Sequence, residues 1–272
     1  MSNLEYGAFS YHYADDDLNN VASAISRDGF QYVQLSELPI HPAELTSALC
    51  HRVRRTFLDH NIEISNFYVH GNLSHPDKYV RGDAIHRLRA MIRWVRLLGT
   101  DTISAMPGSL DPLNEWNPHP ENAGQAALEK LADVVRDLAA YAADHGVSVC
   151  LEPYFFSVAH TAERMKHLID YAGKNVGVMF DPAATIGPDR ADDSTSALEH
   201  DLSILGNHLH VVHVEDLVFK GESPSFVLPG EGIVDWATCY RLLNEYGWNG
   251  PLHLEIPREH DAQRARIVEL FG

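Results

Sequence analysis

Four ionisable residues in the second half of this 272-residue chain each stand directly behind a short apolar run. Glu152 follows VSVCL, Asp181 follows VGVMF, His213 follows HVV and Glu255 follows LHL. An ionisable group at the end of a self-burying run is costly unless something compensates it. Three carboxylates converging on one place repel one another, and a divalent cation is the simplest remedy. Three carboxylates with one imidazole form a hard, oxygen-rich set. It suits Mn²⁺ first, then Mg²⁺ or Co²⁺, with water or substrate oxygens completing an octahedron, and it leaves Zn²⁺ open. A lone carboxylate at such a position usually caps a helix or pairs with a basic side chain. Four in succession, all of metal-ligand type, point to a metal instead. His210 competes with His213, but it lies three residues upstream and would sit deeper.

Those four residues need elements to hold them. Short apolar runs at 6–10, 32–36, 62–69, 102–106, 147–152, 176–181, 208–214 and 251–256 read as strands, and the middle ones are too uniformly apolar for a half-exposed antiparallel sheet. Helical patterns lie between them at 18–27, 43–60, 79–98, 123–145, 161–171, 195–205 and 236–246. In the fourth, Leu128, Leu131, Val134, Val135, Leu138 and Tyr141 recur at i, i+3, i+4 spacing. Gly29, Gly146 and Gly247 stand where helices should stop. Strict alternation predicts a parallel sheet, and eight such units in about 250 residues predict an α/β fold, a single (β/α)₈ TIM barrel spanning 1–272 as one domain. An open doubly wound sheet would ordinarily carry a GxGxxG turn after its first strand, and here YHYADDD stands there. Two long irregular stretches, 107–121 and 220–235, follow strands and would lie on the catalytic face.

Composition narrows the partners. The charge is 21 − 38 = −17, which repels phosphate backbones and anionic lipid, so nucleic acid and membrane are not expected partners. Three widely spaced cysteines, Cys50, Cys150 and Cys239, form no CxxC pair. With no secretory pattern at the N-terminus, a reducing cytoplasm is the expected location. Seventeen histidines are many, and metal coordination or proton transfer are the chemistries that use them.

At this point the residues resemble a known family. Leu151-Glu152-Pro153, Val178-Met179-Phe180-Asp181, the strand His210-Val211-Val212-His213-Val214-Glu215-Asp216, the stretch LPGEGIVDW at 228–236, YGWNGP at 246–251 and Leu254-Glu255 carry the likeness. They look like the xylose isomerase-like TIM barrels described as sugar phosphate isomerases/epimerases, a group with ketose 3-epimerases, hydroxypyruvate isomerases, inosose dehydratases and endonuclease IV relatives. The likeness spans the chain and is dense in motifs from about 147 onward. It implies that Glu152, Asp181, His213 and Glu255 are the metal ligands. It also implies that Glu152 and Glu255 are the catalytic pair that exchanges protons with a small carbohydrate. The chain departs from the family pattern at Ala184, where a His often stands. It departs again at Val158 and Phe219, where the ketose epimerases have Glu and Arg.

Four further residues are candidate substrate contacts: His70, before a glycine after strand three; His12, after strand one; and Trp116 and Lys220 in the long loops. The PGEG stretch at 229–232 is expected to shape its loop rather than bind phosphate. A metal-dependent isomerase or epimerase, removing a proton beside a carbonyl to give an enediolate, is the leading function. A lyase or dehydratase performing β-elimination on a keto-sugar, keto-glycoside or keto-inositol is the alternative, with His70 or Lys220 protonating the leaving oxygen. A sugar sensor would need no proton-transfer pair, and a nuclease would need further ligands and a basic face. Assembly as a homo-oligomer or with a partner subunit stays open.

Overall fold

A computed structural model describes residues 4–13, 15, 17–36, 44–255 and 259–271, with backbone alone at 260 and 271. Eight parallel strands close into a barrel: β1 (Tyr6–Phe9), β2 (Tyr32–Ser36), β3 (Glu63–Tyr68), β4 (Thr102–Ala105), β5 (Ser148–Leu151), β6 (Val176–Phe180), β7 (Leu209–Val214) and β10 (Leu252–Leu254). The ring runs β1-β10-β7-β6-β5-β4-β3-β2. The expected (β/α)₈ barrel is therefore the fold, with each strand inside its sequence-read run. Position 43 of the second helical stretch and position 256 of the last strand lie outside the described residues.

Helices α1 (Leu18–Arg27), α2 (Ser47–Asp59), α3 (Lys78–Ile92), α4 (Val95–Leu98), α5 (Gln125–Ala143), α6 (Ala162–Ala172), α7 (Pro182–Thr185), α8 (Ser194–Leu205), α9 (Trp236–Glu245) and α10 (His260–Phe271) accompany the strands. Their starts are written locally. Thr46, Thr161 and Asp235 each accept a hydrogen bond from the backbone N–H three residues on, capping α2, α6 and α9. α5 turns Leu128, Leu131, Val135 and Leu138 onto the sheet, and each fully buried side chain of this size contributes about 1.5–3 kcal/mol.

Two packed regions result. A large core lies between the helices and the outer face of the barrel, and a small one inside it joins Met106, Cys150, Met179 and Val211 to Tyr68 and Tyr154. Apart from Phe9, which lies against His213, much of the rest of the barrel interior is polar. Asn66 Nδ2 donates to Gln34 Oε1 at 2.7 Å and to Ser104 Oγ at 2.6 Å, and all three residues are buried.

Three features differ from the sequence reading. The 79–98 stretch breaks between α3 and α4, where Trp94 N–H bonds the Met91 carbonyl one residue short of helical spacing. α10 was absent from the expected set because it has so little apolar periodicity: Ile267 is its one buried large apolar side chain among those described. The stretch expected to be irregular after strand seven holds an antiparallel hairpin, β8 (Asp216–Lys220) with β9 (Ser223–Val227). Asp216 straps this hairpin down. Its carboxylate accepts from the backbone N–H of Leu217, Gly230, Gly232 and Val234 and from Trp236 Nε1, at 2.9–3.1 Å. A Cβ at Gly232 would stand 2.2 Å from Asp216 Oδ1, so only glycine fits there. Two of the PGEG amides, those of Gly230 and Gly232, thus go to Asp216, and that of Glu231 goes to the Leu228 carbonyl.

Candidate metal and active site

β5, β6, β7 and β10 are consecutive around the ring, and each delivers one residue to the mouth: Glu152, Asp181, His213 and Glu255. One ligand atom from each lies within 4.8 Å of all the others. Two ligands facing each other across a cation with bonds of about 2.1 Å stand about 4.2 Å apart, so the cluster has the span of one ion.

His213 is the centre of the group and only 1% exposed. Its Nδ1 lies 3.1 Å from Glu152 Oε1 and 3.2 Å from Glu255 Oε2. Its Nε2 faces Gln34 Oε1 at 3.1 Å. An amide oxygen only accepts, so Nε2 carries a proton and Nδ1 is the nitrogen turned to the carboxylates. Asp181 Oδ1 accepts from Ala183 N at 2.8 Å and caps α7. Glu255 Oε2 is buried and accepts no hydrogen bond among the described residues, although it faces the imidazole.

The electrostatics demand positive charge. Burial, together with the charges of Glu255 and Glu152, pushes Asp181 well above the usual carboxylate range. Burial raises Glu152 too, against the lowering hydrogen bond from His213. Burial alone would lower His213, but the Glu255 charge, the hydrogen bond with Glu152 and the Glu255 carboxylate beside the same nitrogen outweigh it and push the ring up to about 10. One layer below, burial and the charge of His213 hold His253 down at about 3. Buried oxygens crowded round one imidazole nitrogen, one of them without a donor, are a donor set that a hard divalent cation fits.

Above this floor opens a cavity of about 570 Å³, to which Glu152, Asp181 and Glu255 contribute. Of the four candidate substrate contacts, the fold brings two to it. His12 lines it with its ring stacked on Phe9 at 5.6 Å, and Trp116 lines it edge-to-face with Tyr154 at 5.1 Å. His70 and Lys220 do not line it. His70 Nε2 lies 3.0 Å from Ser36 Oγ and the ring borders a neighbouring depression, while Lys220 sits exposed at the tip of β8. His210 is likewise exposed, with Nδ1 3.0 Å from the His208 carbonyl oxygen, so His213 is the histidine that reaches the mouth.

Sequence reading missed several contributors, Tyr11 and Tyr154 of the cavity wall among them. Gln34 sits in an apolar-looking strand, and its inward alternation with Val33 and Leu35 was the available signal. Glu215 is two residues beyond His213, on the same face, and lines the cavity beside Asp181. Burial and the charges of Glu255 and Asp181 push it well above the usual carboxylate range. Phe226 reaches the cavity from β9, which no periodicity announced. Ala184 lines the cavity where a family histidine was expected, and Phe219 packs edge-on against Phe155 instead of supplying an arginine.

Comparison with known proteins agrees with this architecture. A family model described as xylose isomerase-like TIM barrel matches residues 22–270. An inosose dehydratase of Yersinia enterocolitica is 24% identical over 143 residues, 48% of this chain and 48% of that protein. The chain thus spans about half the length of the curated relatives it matches. A xylose isomerase-like TIM barrel protein from Mycobacterium smegmatis, in complex with magnesium, superposes with a TM-score of 0.74 at 16% identity, covering 98% of this chain and 96% of that one. A D-psicose 3-epimerase crystallised with D-fructose gives 0.69 at 19% identity, covering 93% and 84%. At such identities the superpositions speak for the fold.

Proposed function

The chain belongs to the xylose isomerase-like TIM barrel family, and we propose that within it the protein is a divalent-metal-dependent isomerase or epimerase of a keto-sugar. The observation that carries this is the convergence of Glu152, Asp181, His213 and Glu255 within 4.8 Å on four consecutive strand ends, with two of the three carboxylates being glutamates on β5 and β10. These four residues would hold the ion, with Mn²⁺ the first choice for such a donor set. When bound, the cation supplies Lewis-acid polarisation of a carbonyl and balances the charge that develops on its oxygen.

The chain's own residues do the proton work. β5 and β10 stand three positions apart in the ring, so Glu152 and Glu255 approach a molecule in the cavity from different sides. One takes the proton from the carbon beside the carbonyl, leaving an enediolate. Return by the other to the opposite face inverts the carbon, and return to the neighbouring carbon isomerises the sugar. Gln34 fixes the His213 ring through Nε2, so that Nδ1 is left to the carboxylates and would be the nitrogen that holds the ion. Trp116 and His12 bound the substrate from above.

The partial match to an inosose dehydratase favours a second reading, in which the same abstraction is followed by loss of a β-hydroxyl. Incubation of keto-sugars and keto-cyclitols in heavy water with Mn²⁺-loaded protein separates the two. Deuterium on the carbon beside the carbonyl of recovered sugar supports the isomerase. Loss of a β-substituent supports the lyase. Neither change in any compound would sink both.

A further inference from the structure

The cavity above the acidic floor has a divided wall. Its inner end is made of buried or mostly covered acids, Glu152, Asp181, Glu215 and Glu255. Its outer end is made by Tyr11, Trp116 and Phe226, which are 49%, 39% and 47% exposed. These rings come from three separate places: the turn after β1, the loop between β4 and α5, and β9 of the hairpin. A single exposed aromatic residue needs no explanation, but three around one opening mark a surface that something covers. Two of the three carriers are visibly tied. Asp216 straps the hairpin, and the Trp116 loop is tied by the Asn114 side-chain oxygen, which accepts from Trp116 N, and by Ser109 Oγ, which donates to the Asn117 carbonyl. At about 570 Å³ the cavity lies in the middle of the roughly 300–1,000 Å³ range that encloses drug-sized molecules.

The two ends ask for different chemistry. Sugar hydroxyls find acceptors at the floor, whereas the three half-exposed rings at the rim present mostly carbon and give the hydroxyls of a second sugar few partners. A planar apolar group needs no such partners and gains edge and face contacts with the three rings. We infer that the natural substrate is a sugar or cyclitol bearing an aromatic substituent, with the sugar at the carboxylate floor and the substituent against Trp116, Phe226 and Tyr11. This deepens the functional reading above and rests on it for the placement of the sugar end.

Equilibrium binding tests it without catalysis. Phenyl β-D-glucopyranoside and methyl β-D-glucopyranoside are titrated calorimetrically into Mn²⁺-loaded protein. The phenyl glycoside should bind about three- to tenfold more tightly, the size of one or two aromatic contacts. Trp116→Ala and Phe226→Ala should each shrink that ratio, and the double variant should abolish it. Equal affinities in the unsubstituted protein, a ratio that survives the double substitution, or no binding of either glycoside would overturn the inference. Failure of every keto-sugar to exchange deuterium would sink the functional reading alone, leaving a measured aryl preference standing. Exchange with equal affinities would sink the aryl preference alone.

Discussion

His213 has two nitrogens with two duties, and Gln34 decides which is which. Because Gln34 Oε1 accepts from Nε2 and is itself held by Asn66, the ring cannot rotate without breaking a buried pair. Gln34→Leu should therefore raise the Mn²⁺ dissociation constant about 10- to 100-fold. The ¹⁵N shifts of His213 should lose the Nε2–H signature, a readout that general loosening of the barrel would not give. Unchanged affinity would remove Gln34 from the site. Asp181→Asn is the cleaner test of ligation, since an asparagine keeps an oxygen to cap α7 while removing the charge. Elemental analysis should find metal content well below that of the parent protein, with the melting temperature of the stripped protein little changed. The four converging residues were legible because each is ionisable and each ends an apolar run. Gln34 and Glu215 were not singled out, since one polar residue inside a strand and one acid just past its end are common in chains without a site.

At the scale of elements, the barrel strands were readable because each is a compact apolar run and the helices between them carry period-3.6 stripes and glycine stops. Gly29, Gly146 and Gly247 do adopt positive φ, of 81°, 64° and 73°. The β8–β9 hairpin was not readable. Its strands are short and half exposed, and its anchor is one carboxylate meeting amides 14 to 18 residues away, a pairing that no local pattern encodes. Hydrogen bonds to a buried charge contribute about 1.5–3 kcal/mol each, and losing the acceptor leaves several donors unpaired. Asp216→Ala should cost about 3 kcal/mol or more and lower the melting temperature by roughly 5–10 °C. Amide exchange should accelerate across residues 216–236, and Phe226 should no longer be held over the cavity. Unaltered exchange there would mean that something else holds the hairpin.

For the molecule as a whole, the acid cluster links stability, pH and metal. Glu152, Asp181 and Glu215 lie above their ordinary values because burial and mutual repulsion disfavour their charge, and His213 lies up at about 10. A group raised on folding lends stability that is fully present below its unfolded value and is lost as pH climbs through its folded value. The stripped protein should thus weaken from about pH 4 upward through its carboxyls, and between about 6.5 and 10 through His213. A cation needs those groups deprotonated, so its stabilisation should grow over the same range. At a hundredfold excess over its dissociation constant, Mn²⁺ should add about 2.7 kcal/mol. Melting curves with and without Mn²⁺ should therefore diverge from pH 5 to pH 8. Curves that converge would contradict this linkage. Among the described residues no helix is long and apolar enough to cross a membrane.

In the proposed function Glu152 and Glu255 move protons and do not merely hold an ion. The turnover and heavy-water exchange of Glu152→Gln and Glu255→Gln at saturating Mn²⁺, on whichever keto-sugar the parent protein labels, separate the two roles. Each substitution should reduce both rates by at least about a hundredfold, the lower end for a lost general base. Near-normal exchange by either fully metallated variant would make that residue a ligand only, and the two-carboxylate account would fail.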